Sequence, residues 1–123
     1  MNTPAAWLEL NSWNTEDAMS FYGHVFGWTT VERDMGDMGL YRIFHNGDSQ
    51  FGGILQMIKP EWEGYQPAWM IYFATDDIEA ACARVKEAGG EVPYGHFPIP
   101  GGMIAVCKDK EGAYFSLHMA VSG

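Results

Sequence analysis

The chain has 123 residues, 47% hydrophobic and 15% aromatic, with 7 Lys and Arg set against 16 Asp and Glu. That is ample apolar material for one packed domain, or for two half-size modules sharing a core, and it excludes a disordered chain. The formal charge of −9 argues against nucleic acid and anionic membranes as partners, because phosphate binding needs surplus cations.

No Lys or Arg precedes Arg33, so the basic start of a secretion signal is missing, and no apolar run approaches the ~18 residues that span a bilayer. Cys82 and Cys107 form no CxxC and no disulfide framework. A reduced, cytoplasmic protein is expected.

Ala6 to Trp13 reads as a strand, with Trp7, Glu9 and Asn11 on one face and Leu8 and Leu10 on the other. Asn14 stands at an N-cap with Asp17 at the capping-box position. A helix follows from Thr15 to about Phe26, with Ala18, Phe21, Tyr22, Val25 and Phe26 as its apolar stripe and Gly27 as its stop. Thr29 to Met35 and Leu40 to His45 are β-rich, separated by a turn at Gly36-Asp37-Met38-Gly39. Asn46-Gly47 signals a type I′ hairpin. A strand from Phe51 to Lys59 carries Gly52-Gly53, which marks a bulge or a close approach. Pro, Gly and charges then break the pattern, placing a linker at 60–67 between a first module of about 5–59 and a second of about 68–120.

The second module opens on seven apolar residues, Ala68 to Ala74, read as a covered strand. Asp76 is the expected N-cap, with Glu79 at the capping-box position. Ile78, Ala81, Cys82 and Val85 recur at helical spacing, and Gly89-Gly90 end the helix. Laid over the first module, Ala68-Trp69 falls on Ala6-Trp7 and Gly89 on Gly27, so the unit occurs twice. Glu91 to Gly95 leads into a loop, Phe97 to Gly102. Strands at Met103 to Cys107 and Ala113 to Met119 follow, joined by the turn Asp109-Lys110-Glu111-Gly112. The expected class is α+β, with two βαβββ modules in tandem.

This pattern resembles the vicinal oxygen chelate superfamily, which includes glyoxalase I, bleomycin-resistance proteins and extradiol dioxygenases such as dihydroxybiphenyl dioxygenase. Phe21-Tyr22, Phe26-Gly27-Trp28, Ala88-Gly89-Gly90 and Asp109-Lys110-Glu111-Gly112-Ala113 carry the likeness. Trp7-Leu8-Glu9-Leu10 and Ile99-Pro100-Gly101 resemble the small group related to lactoylglutathione lyase. The resemblance implies two curled sheets around a cleft, helices on the outer face, and a homodimer or module pair completing the cleft. It also implies a divalent ion held by His, Glu or Gln from the first and last strand of each module. Carried across, those places fall on Trp7, Met70 and Ser116, and within Ile54-Leu55-Gln56, where only Gln56 could serve. The repeat itself pairs Trp7 with Trp69, one residue away from Met70, and a one-residue slip swaps faces. Neither choice supplies a ligand. Trp cannot bind a metal and a thioether is too soft for Mn, Ni or Mg, so no metal and no cofactor are expected.

What remains is a small-molecule site walled by Trp7, Glu9, Met70, Tyr72, Tyr114, Ser116 and His118, with Gln56 near it and Trp62 at the rim. Glu9 and His118 are the candidate proton carriers. Glu9 among rings is an acid–base group, a ligand anchor, or the partner of a core hydroxyl; His118 could equally be a solvated or core-satisfied imidazole. The readings left open are a metal-free binder of a small organic ligand, a divergent lyase, isomerase or dioxygenase, and a protein that sequesters a toxic compound. Glyoxalase I activity itself is not expected, because an enediolate needs Lewis-acid support.

Overall fold

The computed structural model describes residues 5–34, 40–99 and 101–120. The expected turn at Gly36 to Gly39, and Pro100 of the expected loop, lie outside the described residues. In chain order the elements are β1 (Ala5–Ser12), α1 (Thr15–Phe26), β2 (Thr29–Asp34), β3 (Leu40–Asn46), β4 (Ser49–Gln56), β5 (Ala68–Ala74), α2 (Ile78–Glu87), β6 (Glu91–Ile99), β7 (Gly102–Lys108) and β8 (Tyr114–Ala120). This is the α+β order βαβββ, twice. The chain forms two compact units, one of Trp7–Trp69 and one built from Met70 onward together with the first residues of β1, Ala5 and Ala6. Among the described residues, no helix is long and apolar enough to cross a membrane.

In the N-terminal unit the strands lie in the order β2-β3-β4-β1, with β1 parallel to β4 and the others antiparallel. Helix α1 starts where Asn14 Oδ1 accepts from the Asp17 backbone N–H at 3.1 Å, while the Asn14 amide donates to the Asp17 carboxylate at 3.0 Å. It stops at Gly27, whose φ of 76° is costly for any residue with a Cβ. The helix covers Leu10, Phe44 and Ile54, with Met19, Tyr22, Trp28 and Phe51 packed around them. Trp28 stacks on Phe26 at 4.4 Å and leans on Phe51 at 4.5 Å. Area buried by these rings, at about 25 cal/mol per Å², is the main stabilising term of this core. Because Leu10 and Ile54 face α1, the odd positions of β1 (Trp7, Glu9 and Asn11) point to the other side of the sheet.

In the C-terminal unit the order is β5-β8-β7-β6, with β5 parallel to β8. Helix α2 buries Ile78, Ala81 and Cys82 against Ala105, Cys107 and Leu117. Its N-cap is Asp77, not Asp76: Asp77 Oδ1 accepts from the Ala80 N–H at 3.0 Å, and Thr75 Oγ1 accepts from the Asp77 N–H at 3.3 Å. The threonine turn delays the helix by one residue, so Glu79 sits one place short of a capping box. Burial raises both thiols above their ordinary range, Cys107 to about 12, where its contact with Cys82 adds to the effect.

Two expected strand ends shift by more than two residues. The final strand of the first module ends at Gln56 rather than Lys59. Most of the expected loop from Phe97 is strand: β6 runs to Ile99, with Phe97 paired to Ile104 and Ile99 to Gly102. Proline is tolerated at positions 93 and 98 because β6 is the last strand of this sheet and has one side free of ladder bonds.

Candidate functional site

The face of the N-terminal sheet away from α1 carries a buried carboxylate. Glu9 is 9% exposed, in the middle of β1, directly beside Gly53 of β4. The Tyr41 hydroxyl donates to Glu9 Oε2 at 3.0 Å and accepts from the Trp7 indole N–H at 2.9 Å. Trp7, Tyr41 and Glu9 thus form a directed chain of hydrogen bonds ending on the carboxylate, which is how a sheet face keeps a charge-bearing group out of bulk water.

Gly53 makes the arrangement possible. A Cβ placed on it would collide with the hydroxyl end of the Tyr41 ring, at Cε2, Cζ and Oη. Tyr41 begins one cross-strand row away and reaches Glu9 by lying over this bare stretch of backbone, a close approach only glycine permits. Next to Glu9 on the same face, Asn11 is 5% exposed, and among the described residues its Oδ1 has no hydrogen-bond partner. The Nε2 of His45, on β3, is also buried and unpartnered among the described residues.

Of the other expected site residues, Gln56 belongs to the opposite alternation. Its amide donates to the Trp13 and Met57 carbonyls, each at 2.8 Å, which ties down the end of β4. Trp62 lies in the turns after β4, edge-on to Tyr65 at 5.6 Å. In the C-terminal unit, Phe73 and Leu117 face α2, so Met70, Tyr72, Ser116 and His118 share the other face. Tyr72 pairs with Ser116 and Ala74 with His118. Ser116 is fully buried with no partner for its Oγ among the described residues. The His118 ring lies against Gly102, within 3.0 Å of where a Cβ there would be. Tyr114 is 44% exposed, under the Lys108 ammonium. Trp7 and Glu9 are thereby brought together in one unit, and Tyr72, Ser116 and His118 on one face of the other.

The repeat register is settled by Trp69, whose indole N–H donates to the Tyr22 hydroxyl at 3.1 Å on the helix side. Met70, not Trp69, is therefore the counterpart of Trp7. The same shift carries Glu9 onto Tyr72 and Gly53 onto Ser116, so the remaining place expected within Ile54 to Gln56 is filled by Gly53. Taken one by one, the four places hold an indole and a bare backbone in the N-terminal unit, and a thioether and a hydroxyl in the C-terminal unit. Among the described residues, no three His, Cys, Asp or Glu side chains cluster as a cation would require. This donor set does not fit a divalent ion.

Sequence reasoning missed Tyr41 and gave Asn11 and Gly53 no part in the site. The doubled glycine was the one signal available, since it marks a backbone that something approaches.

The fold and this face define a class. Residues 5–117 match the Glyoxalase/Bleomycin resistance protein/Dioxygenase superfamily, and the chain belongs to that family. The chain is 35% identical over 112 residues to CFP32 of Mycobacterium tuberculosis, provisionally named a glyoxylase, covering 90% of this chain and 42% of that protein. It is 35% identical over 125 residues to the anthracycline biosynthesis protein DnrV of Streptomyces peucetius, covering 91% and 45%. The chain thus spans less than half the length of these relatives. Among solved structures, hypothetical protein BH1468 from Bacillus halodurans C-125 superposes with a TM-score of 0.74 at 16% identity, covering 99% of this chain and 96% of that one. A single-residue variant of Streptomyces coelicolor methylmalonyl-CoA epimerase, in complex with 2-nitronate-propionyl-CoA, gives 0.72 at 16%, covering 99% and 97%. At these identities the structural likeness shows the fold.

Proposed function

We propose that this protein binds a small organic molecule on the Glu9 face of its N-terminal unit and moves a proton on it, as a lyase or isomerase working without a metal ion. The observation that carries this is the buried Glu9 carboxylate, held in one orientation by Tyr41 and backed by the Trp7 ring. A positioned carboxylate in a low-dielectric setting is suited to general acid–base work, which contributes typically 10²–10⁴-fold to a rate. The family includes both enzymes and resistance proteins, and a fold neighbour that is an epimerase supports the catalytic reading. The corresponding face of the C-terminal unit, with Met70, Tyr72, Tyr114, Ser116 and His118, is in this reading a ligand surface of its own, on which His118 is the candidate proton carrier. Gln56 and Trp62 are left with structural roles. The assembly we propose is a cytoplasmic homodimer, on the family resemblance alone; light scattering at micromolar concentration tests the oligomeric state, and a monomer would refute it.

The second reading, a binding protein for a planar aromatic compound, is favoured by the Trp7 and Tyr41 rings beside Glu9 and by the relation to an anthracycline biosynthesis protein. Solvent-deuterium wash-in separates the two. A panel of carbonyl compounds bearing acidic C–H bonds is incubated with the protein in D₂O and read by mass spectrometry. Catalysed exchange that Glu9→Gln abolishes supports the enzyme; no exchange with any panel member removes it.

A further inference from the structure

The chain holds 2 cysteines, and folding brings them together in the core of the C-terminal unit, where the Glu9 chemistry makes no use of them. Cys82 on α2 and Cys107 on β7 belong to one buried cluster with Ile78, Ala81, Ala105 and Leu117, and their thiols touch. The contact is made by packing a helix on a sheet, not by neighbours in the chain. We propose that this pair is a site of oxidative modification: a hydroperoxide oxidises Cys82, and Cys107 then closes a disulfide on it that ties α2 to β7. The proposal stands apart from the ligand reading of the Glu9 face.

The two thiols are not equivalent. Cys107 is 0% exposed and shut off from any solute, whereas Cys82 is 9% exposed, at the margin of the cluster. Burial raises the Cys82 thiol, but the Lys86 ammonium, one turn further along α2, and the Cys107 thiol both draw it back down; at Cys107 the neighbouring thiol adds to burial instead. Cys82 is therefore the sulfur that ionises and meets the oxidant, and Cys107 the one that resolves it. In the first step the Cys82 thiolate attacks a peroxide oxygen: an S–O bond forms, the O–O bond breaks and hydroxide leaves, giving a sulfenic acid. In the second the Cys107 sulfur attacks the Cys82 sulfur: the S–S bond forms, the S–O bond breaks, and the Cys107 proton departs with that hydroxide as water. Two thiols and one hydrogen peroxide thus give one disulfide and two waters. Charge selects this product over a soft metal ion. A metal needs both sulfurs ionised inside an apolar cluster, which burial penalises, while the disulfide is neutral. The cross-link also closes the chain between α2 and β7 into a loop, so the oxidised protein should be the more stable form.

Reduced full-length protein is treated with hydrogen peroxide, quenched with catalase, unfolded in the presence of iodoacetamide and mapped by peptide mass spectrometry. The two thiols should be lost together, with the Cys82 and Cys107 peptides linked to each other. The melting temperature should rise by about 10 °C and return on adding dithiothreitol. In Cys107→Ala, Cys82 should stop at the sulfenic acid and be trapped by dimedone; in Cys82→Ala, Cys107 should remain alkylatable. The linkage map is read on the unmutated chain, so a variant that fails to fold leaves the test intact. Thiols that survive peroxide in the native protein while reacting in urea would overturn the proposal. So would linkage between two chains, or a native disulfide that leaves the melting temperature unchanged.

Discussion

The two units fill one topological position in opposite ways. In the N-terminal unit the first strand presents Glu9 beside Gly53; in the C-terminal unit the matching strand presents Tyr72 beside Ser116. One pair joins a carboxylate to a gap, and a third residue, Tyr41, crosses the gap to reach it. The other pair sets a ring beside a hydroxyl that, among the described residues, meets nothing. The same backbone therefore gives a satisfied, directed polar chain on one side of the duplication and an idle polar atom on the other. A repeated fold fixes where side chains start but not what they do.

The comparison can be broken at Gly53. Gly53→Ala puts a methyl group into the Tyr41 ring and should cost about 2–3 kcal/mol, as other overpacked sites do, read as a lowered urea midpoint. Tyr41→Phe keeps the ring but deletes both hydrogen bonds, stripping the buried carboxylate and the indole N–H of this partner; about 2 kcal/mol of lost stability is expected in the same measurement.

A third effect belongs to the C-terminal unit alone. The Cys107 thiol is raised to about 12 when folded, whereas an unfolded thiol ionises near the ordinary 9.0, so above pH 9 the unfolded chain binds fewer protons and stability falls as pH rises. The loss should reach about 1 kcal/mol by pH 10, and a Cys107→Ala variant should lack that part of the alkaline slope. The smallest change is expected at Ser116→Ala: with no partner to lose among the described residues, removing the Oγ should leave stability unchanged or raise it by up to about 1 kcal/mol. A clear destabilisation there would show that the hydroxyl is engaged, and the contrast between the units would fail.

Much of the framework was legible because it is local. Asn14 and Gly27 bracket α1 as cap chemistry requires, and the alternation of β1 placed Glu9 with Trp7 before any register was known. The failures have the same physical root. Asp76 and Asp77 are equivalent in type, and only the Thr75 hydroxyl chooses between them. Phe97 to Ile99 looked like loop because proline opposes a central strand, but an outer strand accepts it. Gln56 sits one alternation away from the face it was assigned to, which a periodicity of two cannot forgive. Tyr41 was out of reach altogether: 32 residues separate it from Glu9, and the two meet only through the register of an intervening strand.

Gly53 also closes a road. Installing a histidine or glutamate there, to rebuild an ion-gripping position, would collide with an aromatic ring before any cation could compensate. Even one such donor takes two changes made together, a smaller residue at position 41 and the donor at position 53, and the indole at position 7 and the thioether at position 70 would still stand where ligands are needed. The bare backbone at position 53 and the ring at position 41 therefore constrain each other, and neither can be enlarged alone.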